Sequence, residues 1–275
     1  MHTSPSEAML MLDVGRVRRS SFVILALAAS PLAAQVPERD AERAPAAELP
    51  SPASVLGYEI GERFTDYDGV LRYMTTLAEA SAQVELRPYG ATVEGRRLVQ
   101  VAVARADHLE RLDTVLARNR ELASPETSEA RAREIAGANP AVIYFSYGVH
   151  GNESSSSEAA MWTAWDLARG AEAAADVLDS VVVVIDPVVN PDGRDRYVDW
   201  YKQVRAWPAN PNPASREHDE PWPGGRYNHY LFDLNRDWTW TSQPETRARL
   251  ATWDAWTPQV HVDFHEMSWR STYFF

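Results

Sequence analysis

His150 and Glu153, three residues apart on a tight turn, are the first candidates for chemistry in this sequence. They follow the apolar run Ala141–Tyr147 (AVIYFSY), which breaks at Gly148. An imidazole and a carboxylate at i and i+3 project the same way and can reach one metal ion. The pairing alone is a weak signal, since seven histidines and 39 carboxylates in 275 residues make about one such pair by chance. A histidine in a turn ordinarily does no more than hydrogen-bond to backbone. The chain contains no cysteine. That excludes disulfides and thiolate nucleophiles, and it leaves histidine and carboxylate as the ligands for any metal.

Three further polar stretches keep company with this turn: Asn190-Pro-Asp-Gly193, Asp233-Leu-Asn235-Arg236-Asp-Trp238 and Asp263-Phe-His265. The elements that must position them can be read from periodicity. Ala141–Tyr147 reads as a buried strand, and Ser154–Arg169 as a helix with a capping box in Ser155 and Glu158. Val181–Asp186 (VVVVID) is β-branched and unalternating, as a strand covered on both faces demands. Gln243–Trp256 has helical character and Gln259–Phe264 reads as a last strand. Earlier in the chain, Asp66–Ala82 places Val70, Tyr73, Met74 and Leu77 on one helical stripe. Val84–Pro88 and Leu98–Ala104 read as strands joined through Gly90, Glu94 and Gly95, and Glu121–Ala136 as a charged surface helix with its connections. Ala206–Tyr230, with five prolines and Gly224-Gly225, reads as a long surface loop of the kind that carries function. Alternating strands and helices from residue 141 onward predict an α/β domain, a mainly parallel or mixed twisted sheet flanked by helices. Ligands in such sheets sit off the carboxyl ends of the strands. His150, Asn190 and His265 each fall just past one.

Composition bounds the rest. A net charge of −12 with no long basic run argues against a nucleic-acid partner. All ten tryptophans lie from Trp162 onward, so the later half carries the bulky packing or the cleft. Arg16, Arg18 and Arg19 precede the apolar run Phe22–Ala29 and the small residues around Ala33 and Ala34, the three-part layout of a secretory signal peptide. Residues 1–34 are therefore expected to be a signal peptide, 35–54 a disordered linker, and 55–275 the folded domain, secreted or periplasmic and free of the membrane after cleavage.

Taken together and in this order, the four polar stretches resemble the zinc metallocarboxypeptidase family (peptidase family M14), over residues 55 to 275. The resemblance implies one zinc ion held by His150, Glu153 and His265, with water in the fourth position. His261 competes for the third place, because it shares a strand face with Asp263 and His265. Asp233 would accept a hydrogen bond from the free ring nitrogen of His150. Asn235 and Arg236 match the pair that grips the substrate's terminal carboxylate, a task suited to the planar guanidinium fork. Arg205 fits the arginine that stabilises the developing oxyanion, with Arg194 and Arg196 as alternatives. The implied activity is hydrolysis of C-terminal peptide bonds by metal-activated water, on peptides with a free C-terminal carboxylate.

The match departs from the family after His265. The glutamate general base and a capping tyrosine come later in the family and have no counterpart before Phe275, so a truncated member is expected, one that binds zinc and turns over poorly. Glu266 follows a ligand on a strand and is expected to point to the opposite face. The competing readings are a related zinc deacylase or cell-wall peptide amidase, and a non-catalytic zinc- or peptide-binding module with an aromatic groove.

Overall fold

A computed structural model of the chain describes residues 49–170 and 176–267. The expected signal peptide and most of the expected linker lie outside the described residues. The end of that linker does not behave as one. From Leu49 the chain packs on the core, and Ser51 caps a short helix α1 (Pro52–Leu56) by accepting from the Ser54 amide. Apolar Leu49 and Val55 anchor this segment, a signal hidden by the alanine- and proline-rich residues before it.

Next come α2 (Tyr67–Ala80), β1 (Val84–Ala91), β2 (Arg97–Val103), α3 (Ala106–Glu110), α4 (Leu112–Ala123) and α5 (Glu129–Ala138). They are followed by β3 (Ala141–Tyr147), α6 (Ser156–Ala168), β4 (Val181–Asp186), α7 (Pro191–Val204), α8 (Pro244–Trp256) and β5 (Val260–Phe264). The five strands form one sheet in the order β1-β2-β4-β3-β5. The chain enters as an antiparallel hairpin, β1 with β2, and β2 pairs antiparallel with β4. The remaining pairs, β3 with β4 and β3 with β5, are parallel. The sheet is thus mixed, with helices on both faces.

One face packs against α2 and α6 through Val70, Tyr73, Met74, Leu77, Ala160, Met161 and Ala164, all fully buried. The stripe read from sequence in α2 is the one buried, and Asp66 caps the helix through the Gly69 amide. The other face packs Val142, Tyr144, Val182 and Val184 against Val115, Leu116 and Trp256. Strand β4 is buried from Val182 onward, as an unalternating run requires.

One local reading changes. The capping box at α6 does not form: Ser155 makes no cap bond, and its hydroxyl donates to Glu266 instead. Glu158 is claimed by Arg194 and the Thr65 amide, since a buried guanidinium needs a carboxylate more than a helix end does. The residues after Asn190 continue as α7, with Asn190 capping through the Gly193 amide and Pro191 at the first helical position.

Candidate metal centre

Parallel pairing sends β3, β4 and β5 out at one edge of the sheet. Their register sets Tyr147 beside Phe264, and Ser146 between Asp186 and Asp263. The two chains leaving this edge carry His150 and His265 three and one residues later. Gly148 makes the turn possible with φ of 62°, a region open to glycine at little cost.

The side chains converge. Glu153 Oε1 lies 2.7 Å from His150 Nδ1 and 3.2 Å from His265 Nδ1. One donor atom from each of the three residues falls within 4.8 Å of the others. On its far side His150 Nε2 lies 3.0 Å from Asp233 Oδ1. Both ring nitrogens of His150 therefore face carboxylate oxygen, leaving Nε2–H to Asp233 and Nδ1 to whatever stands before Glu153. The second oxygen of Glu153 is buried and has no partner among the described residues. Two imidazole nitrogens and a carboxylate with an oxygen to spare fit a zinc ion as donor set and as geometry.

The electrostatics follow from these contacts. Burial pushes the Glu153 carboxyl up, but the hydrogen bonds and charges of His150 and His265 outweigh it and hold it below its usual range. The same balance acts at Asp233, where burial is opposed by His150 and Arg226. His265 is raised to about 10 by its hydrogen bonds to Asp263 and Glu153. Its Nε2 lies 3.3 Å from Asp263 Oδ2 and 3.4 Å from Asn235 Nδ2. His261 goes elsewhere: Nε2 sits 2.7 Å from the Ser146 hydroxyl, and the ring stands edge-on to Tyr144. Geometry brings His265, not His261, to the cluster.

The arginine reading changes. Arg205 is the last-turn cap of α7, and its guanidinium lies 5.1 Å over the Trp207 ring. Among the described residues nothing joins it to the cluster. Arg226 is there instead, donating through Nε and Nη2 to Asp233 Oδ2 at 3.1 and 2.9 Å, with Nη1 3.5 Å from His150 Nδ1. The alternatives have structural duties. Arg194 is buried in an ion pair with Glu158, and Arg196 donates to the carbonyls of Gly224, Tyr227 and Asn228. Arg196 thus holds the loop that delivers Arg226. The sequence signal for Arg226 was the Gly224-Gly225 pair before it. At Gly225 a Cβ would run into the Gly193 carbonyl oxygen and come within 2.7 Å of Tyr197, and the Gly225 carbonyl accepts from the Gly151 amide at 2.9 Å. Three motif glycines meet there because no side chain fits between the backbones.

Asn235 and Arg236 follow Asp233 on a single 3-10 turn, capped when the Asp233 carboxylate accepts from the Asn235 amide. Arg236 is exposed and lines an open pocket with Phe232, Asp237, Trp240 and Ser242. Among the described residues its guanidinium makes one hydrogen bond, 3.3 Å to the Asn235 carbonyl. The Asn-Pro-Asp-Gly motif positions and does not react: Asp192 accepts from the Thr92 hydroxyl and Arg96, tying the β1–β2 turn to α7. Glu266 accepts from the Ser155 amide and hydroxyl, at 2.7 and 2.6 Å, and so is engaged away from the three candidate ligands.

The mixed α/β sheet thus carries a two-histidine, one-carboxylate cluster that could hold a metal ion at its strand ends. The chain matches the zinc carboxypeptidase family over residues 70–275 and belongs to it. Among solved structures it is similar to a carboxypeptidase A from Helicoverpa armigera, at 14% identity over 79% of this chain and 52% of that one, TM-score 0.49. It is also similar to a metallo-carboxypeptidase from Burkholderia cenocepacia, at 19% identity over 73% of this chain and 41% of that one, TM-score 0.47. A murein-tripeptide amidase from Escherichia coli O157 aligns at 18% identity over 66% of this chain and 61% of that one, TM-score 0.28. The chain thus spans about half or less of the length of the two carboxypeptidases. No curated protein matches it in sequence.

Proposed function

We propose that this chain is the metal-binding part of a secreted or periplasmic zinc carboxypeptidase that acts on peptides with a free C-terminal carboxylate. The observation that carries the reading is the convergence of His150 Nδ1 and His265 Nδ1 on Glu153, backed by Asp233 and within reach of Arg226. His150, Glu153 and His265 would hold the zinc, which when bound supplies Lewis acidity and an acidic water. Asp233 fixes the His150 tautomer by accepting at Nε2. Arg226 presents Nη1 toward the cluster, where a guanidinium can steady a carbonyl oxygen as it gains charge. Asn235 and Arg236 bind the terminal carboxylate, Arg236 through two parallel charge-assisted hydrogen bonds. Such bonds are worth about 1.5–3 kcal/mol, enough to select a chain end over an internal peptide. The residue layout at the amino terminus supports export, and no described helix is long and apolar enough to cross a membrane.

A second reading, zinc and peptide binding without turnover, has one observation in its favour. Among the described residues, the carboxylates touching the cluster face its histidines and an arginine: Asp233 is held by His150 and Arg226, and Asp263 meets His265 through Oδ2. Glu266 is engaged by Ser155. The experiment measures zinc content and then compares binding and cleavage of a peptide carrying a free C-terminus with its C-terminal amide. One equivalent of zinc, preference for the free acid and its loss in Arg236→Met are expected. Equal handling of acid and amide would overturn the carboxypeptidase reading, and binding without cleavage would select the second.

A further inference from the structure

Glu220 lies in the long loop shortly before Arg226, and its carboxylate bonds to two separate parts of the site. Oε2 accepts from Asn152 Nδ2 at 2.7 Å, and Oε1 accepts from the Gly225 amide at 2.6 Å. Asn152 stands between His150 and Glu153 on their shared turn, and Gly225 directly precedes Arg226. Both partners are donors, so the group between them must offer two acceptors and no proton, as an ionised carboxylate does. Hydrogen bonds to an ionised carboxylate are short and about twice as strong as neutral ones.

The backbone around this carboxylate is held from several sides. The Gly224–Gly225 peptide is gripped at both edges, its carbonyl by Arg196 Nη1 at 3.3 Å and its N–H by Glu220. The Gly225 carbonyl then accepts from the Gly151 amide at 2.9 Å. Loop and turn are therefore joined by two bridges, one of backbone alone and one running from Asn152 through Glu220 to Gly225. The second bridge also explains Gly224. A Cβ there would come within 2.5 Å of Glu220 Oε2 and 2.6 Å of its carboxyl carbon. A free glutamate would swing aside, but this one is pinned by two bonds. Just beyond the junction, Arg226 places Nη1 3.5 Å from His150 Nδ1.

We infer that Glu220 is a positioning residue that clamps the turn bearing His150 and Glu153 to the loop that delivers Arg226, and so sets the spacing between metal ligands and arginine. The inference rests on the zinc carboxypeptidase reading above. The clamp obeys a donor–acceptor rule, and that rule makes it testable. Glu220→Gln keeps it: the amide oxygen stays on the Gly225 N–H, the NH2 faces residue 152, and Asn152 turns its own amide to accept. Asn152→Asp breaks it, because two carboxylates then oppose each other with no proton between them. Combined with Glu220→Gln, the same Asn152→Asp change restores it, since the new carboxylate accepts from the new NH2.

The test uses the full chain as wild type, Asn152→Asp, Glu220→Gln, the double variant and Glu220→Ala. Zinc affinity is measured by chelator competition and stability by urea unfolding. Asn152→Asp should weaken zinc binding about tenfold more in the wild-type background than in the Glu220→Gln background. The long-range pull of the added negative charge on the cation is common to both backgrounds and cancels. Glu220→Gln should stay within about threefold of wild type, and Glu220→Ala should lose about tenfold. A glutamate that only supports the fold would show the crossover in urea unfolding and leave zinc affinity equally affected in both backgrounds, which overturns the proposal. Where Asn152→Asp fails to fold, equal zinc affinity in Glu220→Ala and Glu220→Gln overturns it instead. A wild-type chain that takes up no zinc refutes the metal site and the proposal with it, whereas wild-type uptake without the crossover refutes the proposal alone.

Discussion

Asp233→Asn is the sharpest probe of the proposed centre, because it changes one atom and leaves the shape. Asp233 is shared: Oδ1 faces His150 Nε2 at 3.0 Å, and Oδ2 takes two bonds from Arg226 at 3.1 and 2.9 Å. A carboxylate serves both neighbours because it only accepts. An amide must choose. Arg226 offers two charged donors and no acceptor, against the single backbone donor of Asn235, so the amide oxygen turns to Arg226 and the NH2 turns to His150 with loss of the Asn235 cap. Nε2 must then accept, which places the ring proton on Nδ1, the nitrogen that faces Glu153 at 2.7 Å. The tautomer is wrong for binding a cation. Losses of this kind run about 10–100-fold in metal affinity, or about 1.4–2.7 kcal/mol. Chelator competition at pH 7 measures it directly. The mechanism makes a further demand on the double variant Asp233→Asn with Arg226→Met. Without the guanidinium the amide oxygen is free to face His150, so the double variant should bind zinc more tightly than Asp233→Asn alone. Strictly additive losses, or zinc affinity in Asp233→Asn within about threefold of wild type, against the expected tenfold or more, would show that Asp233 does not govern the His150 tautomer.

Three other outcomes follow from the same contacts. Gly225→Ala should destabilise the fold by about 1–3 kcal/mol in urea unfolding and weaken zinc binding as well, because its Cβ would meet the Gly193 carbonyl oxygen and displace the residue next to Arg226. Glu158→Gln should cost about 3 kcal/mol in thermal or urea unfolding, by leaving the buried Arg194 charge without its carboxylate, yet zinc stoichiometry should stay at one. The pH dependence follows from His265, whose folded value is raised from 6.5 to about 10. In the metal-free chain its contacts with Asp263 and Glu153 are fully stabilising below about pH 6.5 and are lost as pH rises through about 10. Zinc takes the place of the Nδ1 proton, so uptake should release a proton and apparent affinity should climb between pH 7 and 9. An affinity that stays flat over that interval contradicts the assignment of His265 as a ligand.

Much of this was legible because certain residue types permit few roles. Val181–Asp186 could only be a doubly covered strand, and the alternation after residue 141 gave parallel pairing for β3, β4 and β5. Parallel pairing then forces strand ends to one edge, which is why His150 and His265 could be matched although far apart in the chain. The antiparallel entry of β1 and β2 was not legible in the same way, since a hairpin's position in a sheet depends on which neighbour it finds. The arginines show the limit best. Five of them lie between Gly193 and Arg236, namely Arg194, Arg196, Arg205, Arg216 and Arg226, and all look alike in composition. What separates them is which partner the folded chain has already supplied. Arg194 is neutralised by Glu158, Arg196 is spent on three carbonyls, and Arg205 rests on Trp207. Only tertiary structure reveals those commitments.

The same reasoning explains why the site is assembled as it is. A metal ligand is useful only if its ring is held in one tautomer, and each candidate histidine here has a carboxylate behind it: Asp233 for His150, Asp263 for His265. Asp233 is bonded in turn by the Arg226 guanidinium. Contacts from two different elements, Arg226 of the long loop and Arg249 of α8, meet at the turn of Asp233, Leu234, Asn235 and Arg236. The Asp233 carboxylate caps that turn, and Arg249 holds its first carbonyl. Since carboxylate anchor and metal ligands hang on one short turn, small displacements there should move both. A residue that steadies it therefore matters to the proposed site out of proportion to its distance from any substrate.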